Sequence, residues 1–198
     1  MTNSTNVRRG LTARERSYAI GGAVAALLAI ALIWVLTGRQ AAAPLAVPEV
    51  NRPAPDFALP ALGGGTVDLA SYRGKVVLVN FWNTWCEPCK EETPALQTAY
   101  NDLSAQGLVV IGVNLANQEQ KGAEDVQAFV DQYGLSYPIA LDTDGAVSRA
   151  FRLYPLPTSY FVDQQGNIRY VITRSTTRAE VEALFNQLRQ EATALRAW

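Results

Sequence analysis

A strand that runs directly into a helix, with a pair of cysteines at the junction, constrains the fold of this chain more than any other feature. Residues 76–82, Val-Val-Leu-Val-Asn-Phe-Trp, form a β-branched and aromatic run typical of a buried strand. Residues 90–96, Lys-Glu-Glu-Thr-Pro-Ala-Leu, favour a helix. The two cysteines of the chain, Cys86 and Cys89, lie between these segments.

This junction predicts different chemistry for the two cysteines. A helix N-terminus offers unpaired N–H groups and about half a positive charge, and both favour a thiolate over a thiol. Because the thiolate is the nucleophile in disulfide exchange, Cys86 is placed to attack. Cys89 lies one turn further into the helix, where it can resolve the mixed disulfide. We therefore predict a redox-active pair.

Other roles for the cysteine pair have less support. A disulfide that closes so short a loop restricts the unfolded chain little, so it would stabilise the fold little. Half of an intermolecular metal site would need further ligands, and the chain contains no histidine. The absence of histidine also excludes Cys-His and Ser-His catalysis. We expect neither a metal nor a cofactor.

Residues 81–90, Phe-Trp-Asn-Thr-Trp-Cys-Glu-Pro-Cys-Lys, resemble the active-site segment of the thioredoxin superfamily, and most closely that of the membrane-anchored TlpA/ResA-like thioredoxins. Pro94 falls where thioredoxins carry a helix-kinking proline. The resemblance covers roughly residues 53–195. It implies an α/β, thioredoxin-like fold: a central mixed sheet flanked by helices, with an N-terminal hairpin and a strand–helix insertion.

A second segment, Leu156-Pro157-Thr158 before a predicted strand, resembles the cis-proline loop of the same family. The resemblance implies a cis Leu156–Pro157 bond packed against Cys86, with Pro155 as the alternative cis residue. In the family, backbone groups beside this proline pair with an incoming substrate segment like an added strand. The predicted substrate-contacting residues are Trp85, Glu87, Pro88, Leu156 and Thr158.

Asn80 departs from plain thioredoxins, which have a buried aspartate six residues before the first cysteine. An asparagine cannot handle the proton of the resolving thiol. Glu92 lies three residues after Cys89, on the same helix face, and ResA-like proteins have a glutamate there. Burial would raise the pKa of Glu92 and let it exchange a proton with Cys89. The alternative is an acid that merely suits the first turns of a helix.

The N-terminal residues predict a membrane anchor. Residues 1–16 hold four arginines and one glutamate, a net charge of +3, so the remainder of a chain of net charge −1 carries −4. An uncharged run from Tyr18 to Leu36 would form a helix about 28 Å long, close to the thickness of the bilayer core. The positive-inside rule leaves the N-terminus in the cytoplasm. A cleaved signal peptide and a buried core helix are the alternatives.

These patterns divide the chain into a basic cytoplasmic tip at 1–16, a transmembrane anchor at 17–37, a proline-rich linker at 38–53 and a thioredoxin-like domain at 54–198. Within the domain we predict a hairpin across Gly63–Gly65, the active-site helix and a strand at 108–114. The remaining predicted elements are a helix at 123–133, a strand at 138–141, a helix at 144–151, a hairpin over 158–173 and a helix opening at Thr177.

We therefore expect a single-pass cell-membrane protein with an extracytoplasmic domain, on the periplasmic or outer face, that exchanges dithiols and disulfides. The resemblance implies that it reduces exported proteins such as apocytochrome c and is recharged by a membrane reductase of the CcdA/DsbD kind. We expect a monomer. The charge distribution argues against a nucleic acid partner. A peroxiredoxin-like peroxidase and a redox-sensing binding module are the alternatives.

Overall fold

In the computed structural model, residues 27–29, 49–153 and 155–196 are described. The chain divides into two units, residues 1–43 and 44–198, and the described part of the second forms the fold that carries the site. Its strands are β1 (Glu49–Pro53), β2 (Ala58–Pro60), β3 (Thr66–Asp68), β4 (Val76–Trp82), β5 (Leu108–Asn114), β6 (Ile139–Leu141), β7 (Thr158–Val162) and β8 (Asn167–Ile172). Its helices are α1 (Glu87–Leu103), α2 (Ala123–Tyr133), α3 (Ala146–Ala150) and α4 (Arg178–Arg196).

Six strands form a mixed sheet in the order β1-β8-β7-β4-β5-β6. β4 pairs in parallel with β5 and antiparallel with β7, and β5 pairs in parallel with β6. The apolar runs of β4 and β5 occupy the centre, because such runs suit strands that are covered on both faces. β2 and β3 form a separate antiparallel hairpin. The predicted α/β thioredoxin-like fold is confirmed.

Alternate residues of β4 face two different cores. Val76 and Leu78 pack in a cluster with apolar residues of α1, α2 and α4. Val77, Val79 and Phe81 pack in a second cluster with residues of the β2–β3 hairpin and α3. Helices α1, α2 and α4 therefore cover one face of the sheet, and the β2–β3 hairpin and α3 cover the other. The active-site helix follows directly from the central strand.

The predicted order of elements between β5 and the C-terminal helix is confirmed, with α2, β6 and α3 forming the strand–helix insertion. The β7–β8 hairpin is also confirmed. α4 begins after Thr177, as predicted, and opens with a capping box. Thr177 N donates to Glu180 Oε2 at 3.0 Å, and Glu180 N donates to Thr177 Oγ1 at 3.2 Å.

The predicted linker at 38–53 ends too late, because its last residues, Glu49–Pro53, form β1. β1 lies at the edge of the sheet and pairs antiparallel with β8, with Glu49 opposite Tyr170 and Pro53 opposite Asn167. An edge strand tolerates proline and needs no apolar face of its own. The segment therefore lacks the alternation by which a strand is predicted from sequence.

The predicted cytoplasmic tip, residues 1–16, and almost all of the predicted anchor, residues 17–37, lie outside the described residues. Within the described ranges, no helix has the length and apolar character needed to cross a bilayer. The anchor stays a prediction.

Candidate active site

Cys86 and Cys89 form a disulfide at the start of α1, with an S–S distance of 2.08 Å. Cys86 is the N-cap residue, and its Sγ accepts a hydrogen bond from Cys89 N at 3.3 Å. In the dithiol form the same N–H group would stabilise a thiolate on Cys86. Cys89 lies within the helix and is fully buried. The predicted strand–cysteine–helix arrangement is therefore present.

An open groove of about 490 Å³ runs past Cys86. Trp85 forms part of its wall with 55% of its surface exposed, and the indole Nε1 donates to Gln118 O at 3.1 Å. The groove is lined by Trp85, Cys86, Glu87, Pro88, Leu115, Gln118, Leu153, Pro155 and Leu156. Most of these side chains are apolar, so the groove suits an extended polypeptide better than a highly charged ligand.

The opposite wall is the loop before β7. Its Leu156–Pro157 peptide bond is cis, as predicted. Pro155 and Leu156 line the groove, whereas Pro157 and Thr158 are buried. The Thr158 hydroxyl donates to Pro155 O at 2.7 Å, so this side chain shapes the loop. Four of the five predicted substrate-contacting residues thus line the groove, and the substrate contact of Thr158 stays a prediction.

Glu92 is buried, with only 2% of its surface exposed, on the sheet-facing side of α1. Asn80 Nδ2 donates to one of its carboxyl oxygens at 2.7 Å, and Thr176 N donates to the other at 2.8 Å. Burial raises the pKa of Glu92 from its ordinary value of 4.5 to about 7, and the hydrogen bonds from Thr176 and Asn80 oppose part of that rise. A carboxyl group in this state can both accept and return a proton near neutral pH.

The predictions from sequence missed the partners of Glu92. The sequence identifies Asn80 only as the residue that replaces the aspartate of plain thioredoxins. In the structure its amide donates hydrogen bonds to Glu92 and to Ser159 Oγ, the latter at 3.1 Å. A polar residue in the middle of the apolar run of β4 was the one sign in the sequence that Asn80 has a buried partner. Thr176 carried no signal, because it lies in the loop before α4 and is distant from Glu92 in sequence.

The predictions also missed Glu119, which lies in the loop after β5. Its carboxylate accepts hydrogen bonds from Thr84 and from two buried asparagines, Asn83 and Asn114. A lone glutamate in a polar loop belongs to no recognisable motif. The role of Glu119 therefore depends on the pairing of β5 with β4, which places the loop after β5 beside the segment before Cys86, and it could not be predicted from the sequence.

Residues 50–171 match the model of the AhpC/TSA family. The thiol-disulfide oxidoreductase ResA of Bacillus subtilis (strain 168) is 36% identical over 141 residues, which cover 71% of this chain and 76% of that protein. The crystal structure of StoA from Bacillus subtilis, at 27% identity, covers 70% of this chain and 98% of its own with a TM-score of 0.58.

A second solved structure, a thiol:disulfide interchange protein of the thioredoxin family from Chlorobium tepidum TLS, has 26% identity and a TM-score of 0.64. It covers 71% of this chain and 98% of its own. The chain therefore belongs to the AhpC/TSA family, among its ResA-like thiol-disulfide oxidoreductases.

Proposed function

We propose that this oxidoreductase is anchored in the membrane and reduces disulfides in exported proteins on the extracytoplasmic side. The observation that carries the proposal is the unequal placement of three groups. Cys86 lines an open apolar groove, whereas Cys89 and Glu92 are buried about one turn apart in α1. In this arrangement the Cys86 sulfur can contact a polypeptide substrate, while the Cys89 sulfur stays enclosed on the same helix as Glu92, a proton acceptor.

Reduction begins when the Cys86 thiolate attacks one sulfur of the substrate disulfide. A new bond forms between Cys86 and that sulfur, and the other substrate sulfur leaves as a thiolate that takes up a proton. Cys89 then attacks Cys86 Sγ and breaks the mixed disulfide. The substrate leaves as a dithiol, and the Cys86–Cys89 disulfide seen in the structure is formed.

Glu92 is the proposed proton acceptor for the second step. Cys89 is buried, and burial disfavours the charged thiolate, so its attack needs a nearby base to accept the proton. With a pKa of about 7, Glu92 holds a substantial carboxylate fraction at neutral pH. Asn80 and Thr176 fix the position of that carboxylate through one hydrogen bond each.

The proposed substrates include the haem-attachment cysteines of apocytochrome c, and the proposed electron donor is a membrane reductase of the CcdA/DsbD kind. The ResA-like resemblance supports both. The uncharged run at 18–36 and the arginines before it support an anchor with the domain outside the cytoplasm. A reporter that is active only outside the cytoplasm, fused after Trp198, should be active.

The decisive experiment traps the substrate in cells. Cys89→Ser should still attack through Cys86 but fail to resolve, so a mixed disulfide with an exported protein should accumulate in the membrane fraction. Cys86→Ser should trap nothing and should exchange no disulfide. A trap that forms through Cys89 in Cys86→Ser, or one that contains only cytoplasmic proteins, would refute the proposal.

The peroxidase alternative gains no support from the site. Peroxidases of this kind have a Thr-x-x-Cys pattern, which Thr84 matches only approximately because it lies two residues before Cys86. Its hydroxyl donates to the Glu119 carboxylate. No arginine is found among the described residues that line the groove around Cys86. The neighbouring Cys89 also favours rapid closure of a disulfide.

A further inference from the structure

Two residues just before Cys86 are held by a side chain from another part of the chain. Glu119 Oε1 accepts hydrogen bonds from Asn83 Nδ2 at 2.9 Å and from Thr84 N at 2.8 Å. Glu119 Oε2 accepts a hydrogen bond from Thr84 Oγ1 at 2.5 Å. Asn114 Nδ2, at the end of β5, is a fourth donor, at 2.8 Å. One carboxylate thus ties the segment before Cys86 to the neighbouring strand.

Gln118 extends this attachment by one residue. Its backbone oxygen accepts the hydrogen bond from Trp85 Nε1. The Gln118–Glu119 pair therefore binds three consecutive residues, 83–85, immediately before the reactive cysteine. Trp85 and Gln118 both line the groove, whereas Glu119 is not among its described lining residues.

The attachment depends on Glu119, because its removal would leave the Thr84 N–H group without its hydrogen-bond acceptor. Asn83 keeps a second acceptor, Leu115 O at 3.1 Å, for its amide group. Thr84 is half-buried and its N–H group would lose its partner, so the segment would shift to find another acceptor. Bonds to an ionised carboxylate are also stronger than bonds between neutral groups. The position of Trp85 is therefore linked to Glu119.

We propose that Glu119 is a positioning residue that sets the affinity for polypeptide disulfides by holding Trp85 as a wall of the groove. It acts through Thr84 and Gln118 and touches neither the substrate nor the sulfurs. Its hydrogen bonds are separate from those of Glu92, which bind Asn80 and Thr176. The inference rests on the disulfide exchange activity and adds a determinant of which disulfides are accepted.

The test compares two substrates on the full-length chain: a disulfide-bonded peptide long enough to span the groove, and bis(2-hydroxyethyl) disulfide, which cannot contact Trp85 and Leu156 together. Glu119→Ala should raise KM for the peptide about tenfold, with kcat and the rate on the small disulfide within about twofold of wild type. Glu124→Ala, an exposed glutamate in the first turn of α2, is the matched control and should change neither.

Two further variants separate positioning from folding. Glu119→Gln keeps an oxygen that can accept from Asn83, Thr84 and Asn114, so it should restore KM to within about threefold of wild type. Thr84→Val removes only the hydroxyl donor and should raise the peptide KM by about threefold. It carries the test if Glu119→Ala does not fold.

An unchanged peptide KM in Glu119→Ala, or in Thr84→Val where the alanine variant does not fold, would overturn the proposal. An equal loss of rate on both disulfides would also overturn it, because the effect would then lie at Cys86 and not in the groove. A wild-type protein that reduces neither disulfide would instead overturn the proposed function and this inference with it.

Discussion

Glu92 is a buried acid whose protonation depends on the fold around it. It is almost fully buried and receives one hydrogen bond from each of Asn80 and Thr176. The folded protein therefore binds the Glu92 proton more tightly than the unfolded chain does. Function and stability are consequently linked at this one carboxyl group.

The free energy of unfolding should fall as the pH rises between the two pKa values of Glu92, because in that range the unfolded chain has released the proton and the folded protein still binds it. That range extends from the ordinary pKa of 4.5 to about 7 in the fold, and the loss corresponds to about 3 kcal/mol. Glu92→Gln should remove this slope, because a glutamine does not titrate. Denaturant unfolding of the oxidised protein on both sides of the range measures it, and parallel pH profiles for the two proteins would contradict the prediction.

The same variant should also slow resolution by Cys89 while it leaves the attack by Cys86 unchanged. Stopped-flow measurement of the two steps across pH would show the loss of one titration from the second step. Equal rates at every pH would mean that Glu92 has no part in proton transfer.

At the scale of elements, Gly112 in the middle of β5 pairs with Asn80 of β4 and with Ile139 of β6. A Cβ at this position would lie 2.9 Å from Ile139 Cδ1 and 3.0 Å from Trp82 Nε1. Both contacts are too short for ordinary packing. The absence of a side chain at Gly112 therefore leaves room for the buried Trp82 indole, which packs against Phe129 of α2.

Gly112→Ala should lower the free energy of unfolding by about 1–3 kcal/mol, because the added methyl group displaces the surrounding side chains. Urea unfolding should show a lower midpoint with an unchanged slope. A variant as stable as wild type would mean that these side chains move aside at no cost.

Continuous apolar runs made β4 and β5 predictable, because a central strand covered on both faces needs little else to identify it. The helix at the cysteines and the cis-proline loop were predictable because their motifs are local. β1 was not, since an edge strand can be held by backbone hydrogen bonds with little help from its side chains. The partners of Glu92 and Glu119 were not predictable either, because they converge from segments distant in sequence.

At the scale of the whole molecule, two apolar clusters lie on opposite faces of one sheet. β4 contributes to both, and it also delivers Asn80 and the segment that leads to Cys86. The site is therefore built on a fully buried inner strand, while β1 and β6 form the edges. This arrangement protects the geometry of the cysteines from changes at the rim of the sheet.

A fragment that begins at Ala54 should consequently be less stable than one that begins at Pro44, by about 2 kcal/mol, because it lacks the β1–β8 hydrogen bonds. Its exchange rate per folded molecule should match that of the longer fragment. Thermal unfolding and an exchange assay on both fragments test the two statements. Equal stability would show that β1 contributes nothing, and a slower exchange would show that the edge does influence the site.

The position of β1 also decides how the domain responds to force. A pull on residue 48 along the strand would load the β1–β8 hydrogen bonds together in shear, whereas a pull across the strand would open them one after another. β8 and β7 lie between β1 and β4, so in either direction the first bonds to break are two strands away from the strand that leads to Cys86. Tension on the N-terminal segment would therefore detach the edge of the sheet before it disturbed the reactive sulfurs.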